Sequence, residues 1–124
     1  MNFGFMCGAI GAQKAARFCL EEREWDAAVF NAVQAAISAS DALCAYYLKK
    51  RYAGQAHQEA AALLSQLPFP TKEKNVLVER FYRLVGMKSR ASYQGSAMTE
   101  KQAAQAYQDM ERFLEVLKRH IGFS

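Results

Sequence analysis

Lys88, Arg90 and Tyr93 stand close together in the stretch MKSRASYQGS, and those residue types in that pattern suit the binding of an anion. A lysine and an arginine two positions apart can hold phosphate oxygens, and a tyrosine beside them can pack or stack on a base. His57 adds a ring that can stack or donate, and Lys49, Arg51 and Tyr52 repeat the basic and aromatic pairing at the end of another apolar segment. Part of such a cluster is expected without any ligand, because cations in the last turn of a helix stabilise its negative dipole end. Metal chemistry has little to build with: the two histidines, His57 and His120, are far apart, and there is no CxxC or HExxH. Neither a Gly-rich phosphate loop nor a nucleophile elbow is present, so no cofactor is expected.

The chain that must position these residues has 124 of them, enough for one domain spanning 1–124 with its own core. Apolar residues make up 52% and proline occurs twice, which argues against disorder and against a many-turned β architecture. No apolar run approaches the ~20 residues of a membrane span, and the opening MNFGFMCGAIGAQ has no basic leader, so a soluble cytoplasmic chain without a signal peptide is expected. Cys7, Cys19 and Cys44 form no CxxC pair, and Cys19 and Cys44 fall among apolar helical positions, as buried reduced thiols do. A net charge of +4 and a pI near 9.1 permit a polyanionic partner without demanding one.

Apolar residues recur at steps of three and four along most of the chain, and the periodicity predicts five helices. Val29, Ala32, Val33, Ala36, Ile37, Ser40, Cys44, Tyr47 and Leu48 mark a long second helix, with Asp26 as its N-cap, Trp25 and Phe30 at hydrophobic-staple spacing and Gly54 as its stop. A first helix precedes it through Ala9, Ala12, Ala16, Cys19 and Leu20. A third runs from His57 to about Leu67 and ends at PFP; a fourth opens at Thr71 and carries Leu77, Phe81, Leu84 and Val85. Thr99 and Gln102 have capping-box spacing and open a fifth, with Ala103, Tyr107, Met110, Leu114, Leu117 and Ile121 as its seam. The expected fold is all-α, an up-and-down antiparallel bundle of four to five helices.

If all five helices alternate in direction, the end of the second, the start of the third, the end of the fourth and the start of the fifth share one end of the bundle. Lys49, Lys50, Arg51, Tyr52, His57, Lys88, Arg90 and Tyr93 then gather there as one site. Lys88 continues the Phe81, Leu84, Val85 stripe, which places its charge beside the core. Asp41 lies in register with Ile37, Cys44 and Leu48 and is a candidate partner for a buried cation. His120, near the C-terminus, reads as a surface residue at the opposite end. Tyr46, Tyr82 and Phe113 read as interface material on the outer helices.

The order and spacing of these features resemble the HEPN domains of bacteria and archaea. The likeness runs from AARFCLEEREWDAAVFNAVQAAISASDALCAYYLKKR through HQEAAALL to KSRASYQGSAMTEKQAAQAYQDMERFLEVLK. Family members have an Ala- and Tyr-rich second helix, a histidine opening the third, and an RxxAxY turn before a final helix rich in Ala, Phe and Leu. HEPN ribonucleases also carry an RxxxxH-type pairing and cleave RNA across a dimer without metal. This chain departs from that motif: Gly95, Ser96 and Ala97 stand where the histidine would follow Arg90, and Lys88 stands where the turn's arginine would be. Lysine lacks arginine's bidentate fork. The resemblance implies a homodimeric helical module that associates with a nucleotidyltransferase, in toxin-antitoxin or defence settings, and that binds nucleotide or RNA. Two other readings stay open at this point. One is a metal-independent endoribonuclease toxin using Arg90 and His57, and the other is a purely structural dimerising subunit.

Overall fold

Alanine decides which helix lies at the centre. The helix Trp25–Leu48, α2, buries Ala28, Ala32, Ala35, Ala36, Ala39 and Ala42 together with Val29, Val33, Leu43 and Cys44, an arc too wide for one neighbour. Side chains this small let helices approach closely on more than one side. The computed structural model describes residues 3–50, 57–93 and 97–122. Around α2 lie α1 (Phe3–Glu21), α3 (His57–Leu64), α4 (Thr71–Tyr93) and α5 (Glu100–Ile121), and the described residues contain no strand. α1 and α5 pack most extensively on α2. The bulk of the core comes from α4 and α5 through Leu77, Phe81, Leu84, Met110, Phe113, Leu114 and Leu117.

By length and composition α2 could cross a membrane, which the search for uninterrupted apolar runs missed. Its window is 67% buried by the other helices, as the core helix of a bundle is.

The helix ends follow local chemistry, with two corrections. At α5 the capping box forms as expected: the Gln102 N–H donates to Thr99 Oγ1 at 3.1 Å, and the Thr99 N–H donates to Gln102 Oε1 at 2.8 Å. Asp26 is not the N-cap of α2. The turn after α1 is tight, with the Glu24 N–H bonded to the Cys19 carbonyl at 2.8 Å and Arg23 at φ 61°, so Glu24 takes the N-cap position two residues earlier and Asp26 falls in the first turn of α2. Its carboxylate instead accepts the Met98 N–H at 2.7 Å and ties the start of α2 to the start of α5. α2 stops at Lys49, whose left-handed backbone returns its N–H to the Cys44 carbonyl; Gly54 lies outside the described residues.

The four long helices alternate in direction, and α3 is not one of them. Gly8 faces Ser38 and Asn31 reaches Cys19, so α1 and α2 are antiparallel. Glu73 meets Arg119 while Arg83 meets Asp109, so α4 and α5 are antiparallel. Asp26 meets Met98 while Tyr47 meets His120, so α2 and α5 are parallel. An eight-residue helix is only about 12 Å long and cannot cross a bundle whose central helix is about 36 Å long. α3 therefore belongs to the connection, and α4 returns antiparallel to α2.

Candidate functional site

That change of direction divides the expected basic cluster. The end of α2 shares its end of the bundle with the start of α4 and the end of α5, whereas the end of α4 lies with the starts of α2 and α5. Lys49 and Lys50 are consequently about the length of α2 away from Lys88 and Arg90. The side chains of His57 and Tyr93, and all of Arg51 and Tyr52, lie outside the described residues.

Lys88 and Arg90 are both exposed in the last turns of α4. The expectation that Lys88 lies against the core is corrected: the buried residues at this level are Met87 and Met98. An ammonium keeps its water where the stripe runs out at the end of the core. The Arg90 guanidinium lies back over Gly86, with Nη1 3.8 Å from where a Cβ on that glycine would be. Among the described residues Arg90 is the one arginine without a carboxylate partner; Arg17, Arg23, Arg80, Arg83, Arg112 and Arg119 all have one. The surroundings are mixed in charge, with exposed Glu22, Glu24 and Glu100 at the same end and Glu100 3.9 Å from Arg23. Asp41 is half-buried on α2 and acts on Cys44 within its own helix.

His120 is not a free surface residue. Its ring stacks on Phe69 at 4.0 Å, Nε2 lies 3.4 Å from Glu73 Oε1, and its carbonyl accepts the Tyr47 hydroxyl at 3.2 Å. Phe69, in the PFP segment expected only to break a helix, is buried and carries this aromatic contact. Of the expected interface residues, Tyr46 and Tyr82 are exposed, but Phe113 is fully buried.

Between the two ends lies a cluster that sequence reading missed. Asp109, on the core side of α5, has no exposed surface. Arg83 grips it with two bonds, Nε to Oδ2 at 2.7 Å and Nη2 to Oδ1 at 2.8 Å, while Arg80 Nη1 donates to Oδ1 at 2.7 Å and Gln105 Nε2 at 3.1 Å. The bond to Asp109 pushes the Arg83 pKa still further up, so its charge is permanent. The arrangement is a bidentate ion pair with a second cation, a structural clasp between α4 and α5. The signal was present in the spacing: Asp109 falls in the buried register of Ala106 and Phe113, and Arg80 and Arg83 are three apart on one face of α4.

The resolved proton equilibria move away from neutrality. Burial raises Tyr47 and Tyr107, and Cys44 is pushed up to about 12, chiefly by burial, with the Asp41 charge adding and a Ser40 hydrogen bond opposing. The Cys44 thiol returns to its ordinary 9.0 on unfolding, so its contribution to stability is intact below pH 9 and lost as the pH rises toward 12. Of the three thiols, Cys7 is exposed, Cys19 partly buried and Cys44 buried. A disulfide reagent at pH 8 is therefore expected to label Cys7 readily in the native protein and Cys44 only on unfolding, as thiol titrations with and without urea will read.

The sequence model of the HEPN domain family matches residues 8–120, from the second turn of α1 to the last turn of α5. Comparison with curated proteins and with solved structures gives no match. With that match running from α1 to α5 over most of its length, the chain belongs to the HEPN domain family.

Proposed function

We propose that this chain is a HEPN binding module for RNA or a nucleotide, with Lys88 and Arg90 as its phosphate contacts. One observation carries the reading: Arg90 is the only arginine among the described residues left without a carboxylate, and Lys88 is also exposed in the last turns of the same helix. HEPN domains are associated with RNA-related or nucleotide-related functions, in keeping with that contact. With Glu22, Glu24 and Glu100 also exposed at this end of the bundle, the proposed contact is one of one or two phosphates and not a basic track. Tyr93, on the same turn in sequence, is the proposed stacking residue. Lysine, arginine and tyrosine have ordinary pKa values of about 10 or above, so the contact suits binding and not proton transfer.

The assembly we propose is a homodimer associated with a nucleotidyltransferase in a toxin-antitoxin or defence setting, as the family resemblance implies. Exposed Phe18, Tyr46 and Tyr82 supply apolar surface for it.

A metal-free gel assay with labelled single-stranded RNA tests the reading. Lys88→Ala/Arg90→Ala is expected to weaken binding roughly tenfold or more and to flatten the salt dependence by about 1.4 in slope, the share of two phosphate contacts on a single strand. Unchanged affinity and slope in the double variant would reject it. RNA cleavage lost in His57→Ala would replace it with a ribonuclease.

A further inference from the structure

The outer face of the α1 and α2 pair is apolar and uneven. Phe18 is 62% exposed and Phe30 37%, whereas the other large exposed apolar residues described, Tyr46 and Tyr82, stand singly at the end of α2 and on α4. Cys19 and Asn31 meet at 3.9 Å, so the residues just before them, Phe18 and Phe30, lie at one depth of the antiparallel pair. On α1, Ala9 and Ala16 are buried, and at 3.6 residues per turn Phe18 falls about half a turn away from them. Phe30 and Gln34 are likewise exposed on α2, on the side away from buried Val29, Ala36 and Leu43. The two rings make one end of this face stand proud.

The other end is hollow. Gly11, seven residues before Phe18, lies on the same line of α1, and Gly8 lies between that line and α2. A Cβ on Gly8 would meet Ser38 Oγ at 3.4 Å, but a Cβ on Gly11 would meet nothing within 4 Å. Neither glycine has a positive φ. Glycine inside a helix costs stability relative to alanine and has its use where another backbone comes close. No described part of this chain comes close to Gly11. On α2 the matching position is Ile37, seven residues after Phe30 and partly buried.

The raised and hollow ends are about 10 Å apart along one face. A twofold axis lying across both helices, midway between those ends, turns each raised end onto the hollow end of a second copy. Phe18 then covers the partner's Gly8 and Gly11, and Phe30 meets the partner's Ile37. Such self-complementarity is what an isologous contact requires, whereas a groove for an unrelated helix needs no match between its own two halves. The helices have 19 and 24 residues, so the face is about 28 by 18 Å, on the order of 1,000 Å² for the two copies together, which reaches the size of a specific interface. Lys14 at the outer edge of α1 and Asp41 beyond Ile37 keep charge toward the rim.

We infer that the α1 and α2 face is the contact between two copies of this chain, with Phe18 and Phe30 of each copy seated on Gly8, Gly11 and Ile37 of the other. The inference rests on the homodimer proposed above and assigns its interface. Tyr46 and Tyr82 lie outside it. Because the ends of the two copies are exchanged across the axis, the Lys88 and Arg90 contacts, which lie with the start of α2, stand at opposite ends of the dimer and act independently.

Sedimentation velocity of the full chain across a dilution series tests this. The wild type is expected to be a dimer at about 100 μM, in the range of a weak homodimer, and Phe18→Ala to raise the dimer Kd about thirtyfold, as the loss of a central aromatic anchor does. Gly11→Leu fills open space on a helix with a better helix former, so the melting temperature should hold or rise while the dimer is lost. A role in protomer stability alone would not separate the two readouts in this way. Tyr46→Ala and Tyr82→Ala should leave the mass unchanged, and Gly11→Leu should leave the affinity for single-stranded RNA unchanged.

A dimer that survives both Phe18→Ala and Gly11→Leu would overturn this interface while leaving the homodimer standing. A wild type that stays monomeric at about 100 μM would overturn both. RNA affinity lost together with the dimer would overturn the antiparallel pairing. The mass is read without RNA, so it stands apart from the test of Lys88 and Arg90.

Discussion

Replacing Arg80 and Arg83 together by methionine is expected to lower stability by about 3–5 kcal/mol, the usual result of stripping a buried charge of its partners. The cost falls on Asp109, which has no exposed surface and whose oxygens accept three bonds from these two arginines. Gln105 at 3.1 Å would be its remaining partner, and a neutral amide cannot balance a carboxylate. Methionine preserves much of the side-chain stem, so the loss reports charge and hydrogen bonding more than packing. Either single variant should cost clearly less than half of the double, because each leaves one guanidinium in place, and the two effects should not add. At this chain length the double variant should melt on the order of 10–20 °C lower, which thermal denaturation followed by circular dichroism will read. A loss under about 1 kcal/mol would mean that the clasp is worth no more than a surface ion pair.

Phe113→Ala should cost a similar amount, about 3–5 kcal/mol, by a different route. Phe113 is fully buried on α5, and its removal leaves a cavity that neighbours such as Leu114 and Leu117, themselves buried, cannot fill without leaving their own contacts. Stability should fall while the mass measured by light scattering at matched concentration stays the same. An interface residue would behave in the opposite way, with the mass changed and the stability of the protomer kept. Tyr82→Ala is the useful control, since Tyr82 is exposed on α4 and should change stability little.

Where reading the residues succeeded, the information was local. The capping box of Thr99 and Gln102 is four residues of backbone and side-chain chemistry, and it formed as its spacing required. The helices appear where steps of three and four place apolar side chains on one face, because that periodicity is a property of the helix itself. Lys88 shows the limit of the same rule. The stripe through Phe81, Leu84 and Val85 continues to it in sequence, but burial at that level passes to Met87 and Met98. Periodicity states which face a residue occupies and not whether the core still extends to its depth.

The sequence by itself determined an all-α chain, its five helical segments, most of its core and its membership of the HEPN family. Only the tertiary structure decided which chemical groups share an end of the bundle. α3 has the apolar pattern of a helix but a length of eight residues, and a segment about 12 Å long cannot span the bundle. With α3 in the connection, α4 runs antiparallel to α2, so Lys88 and Arg90 part from Lys49 and Lys50 and Glu73 comes to Arg119 and His120. The Arg80, Arg83 and Asp109 clasp depends in the same way on distant segments meeting at one depth. Helix formation is settled by neighbours a few residues apart, whereas the grouping of charges is settled by the direction in which each helix packs.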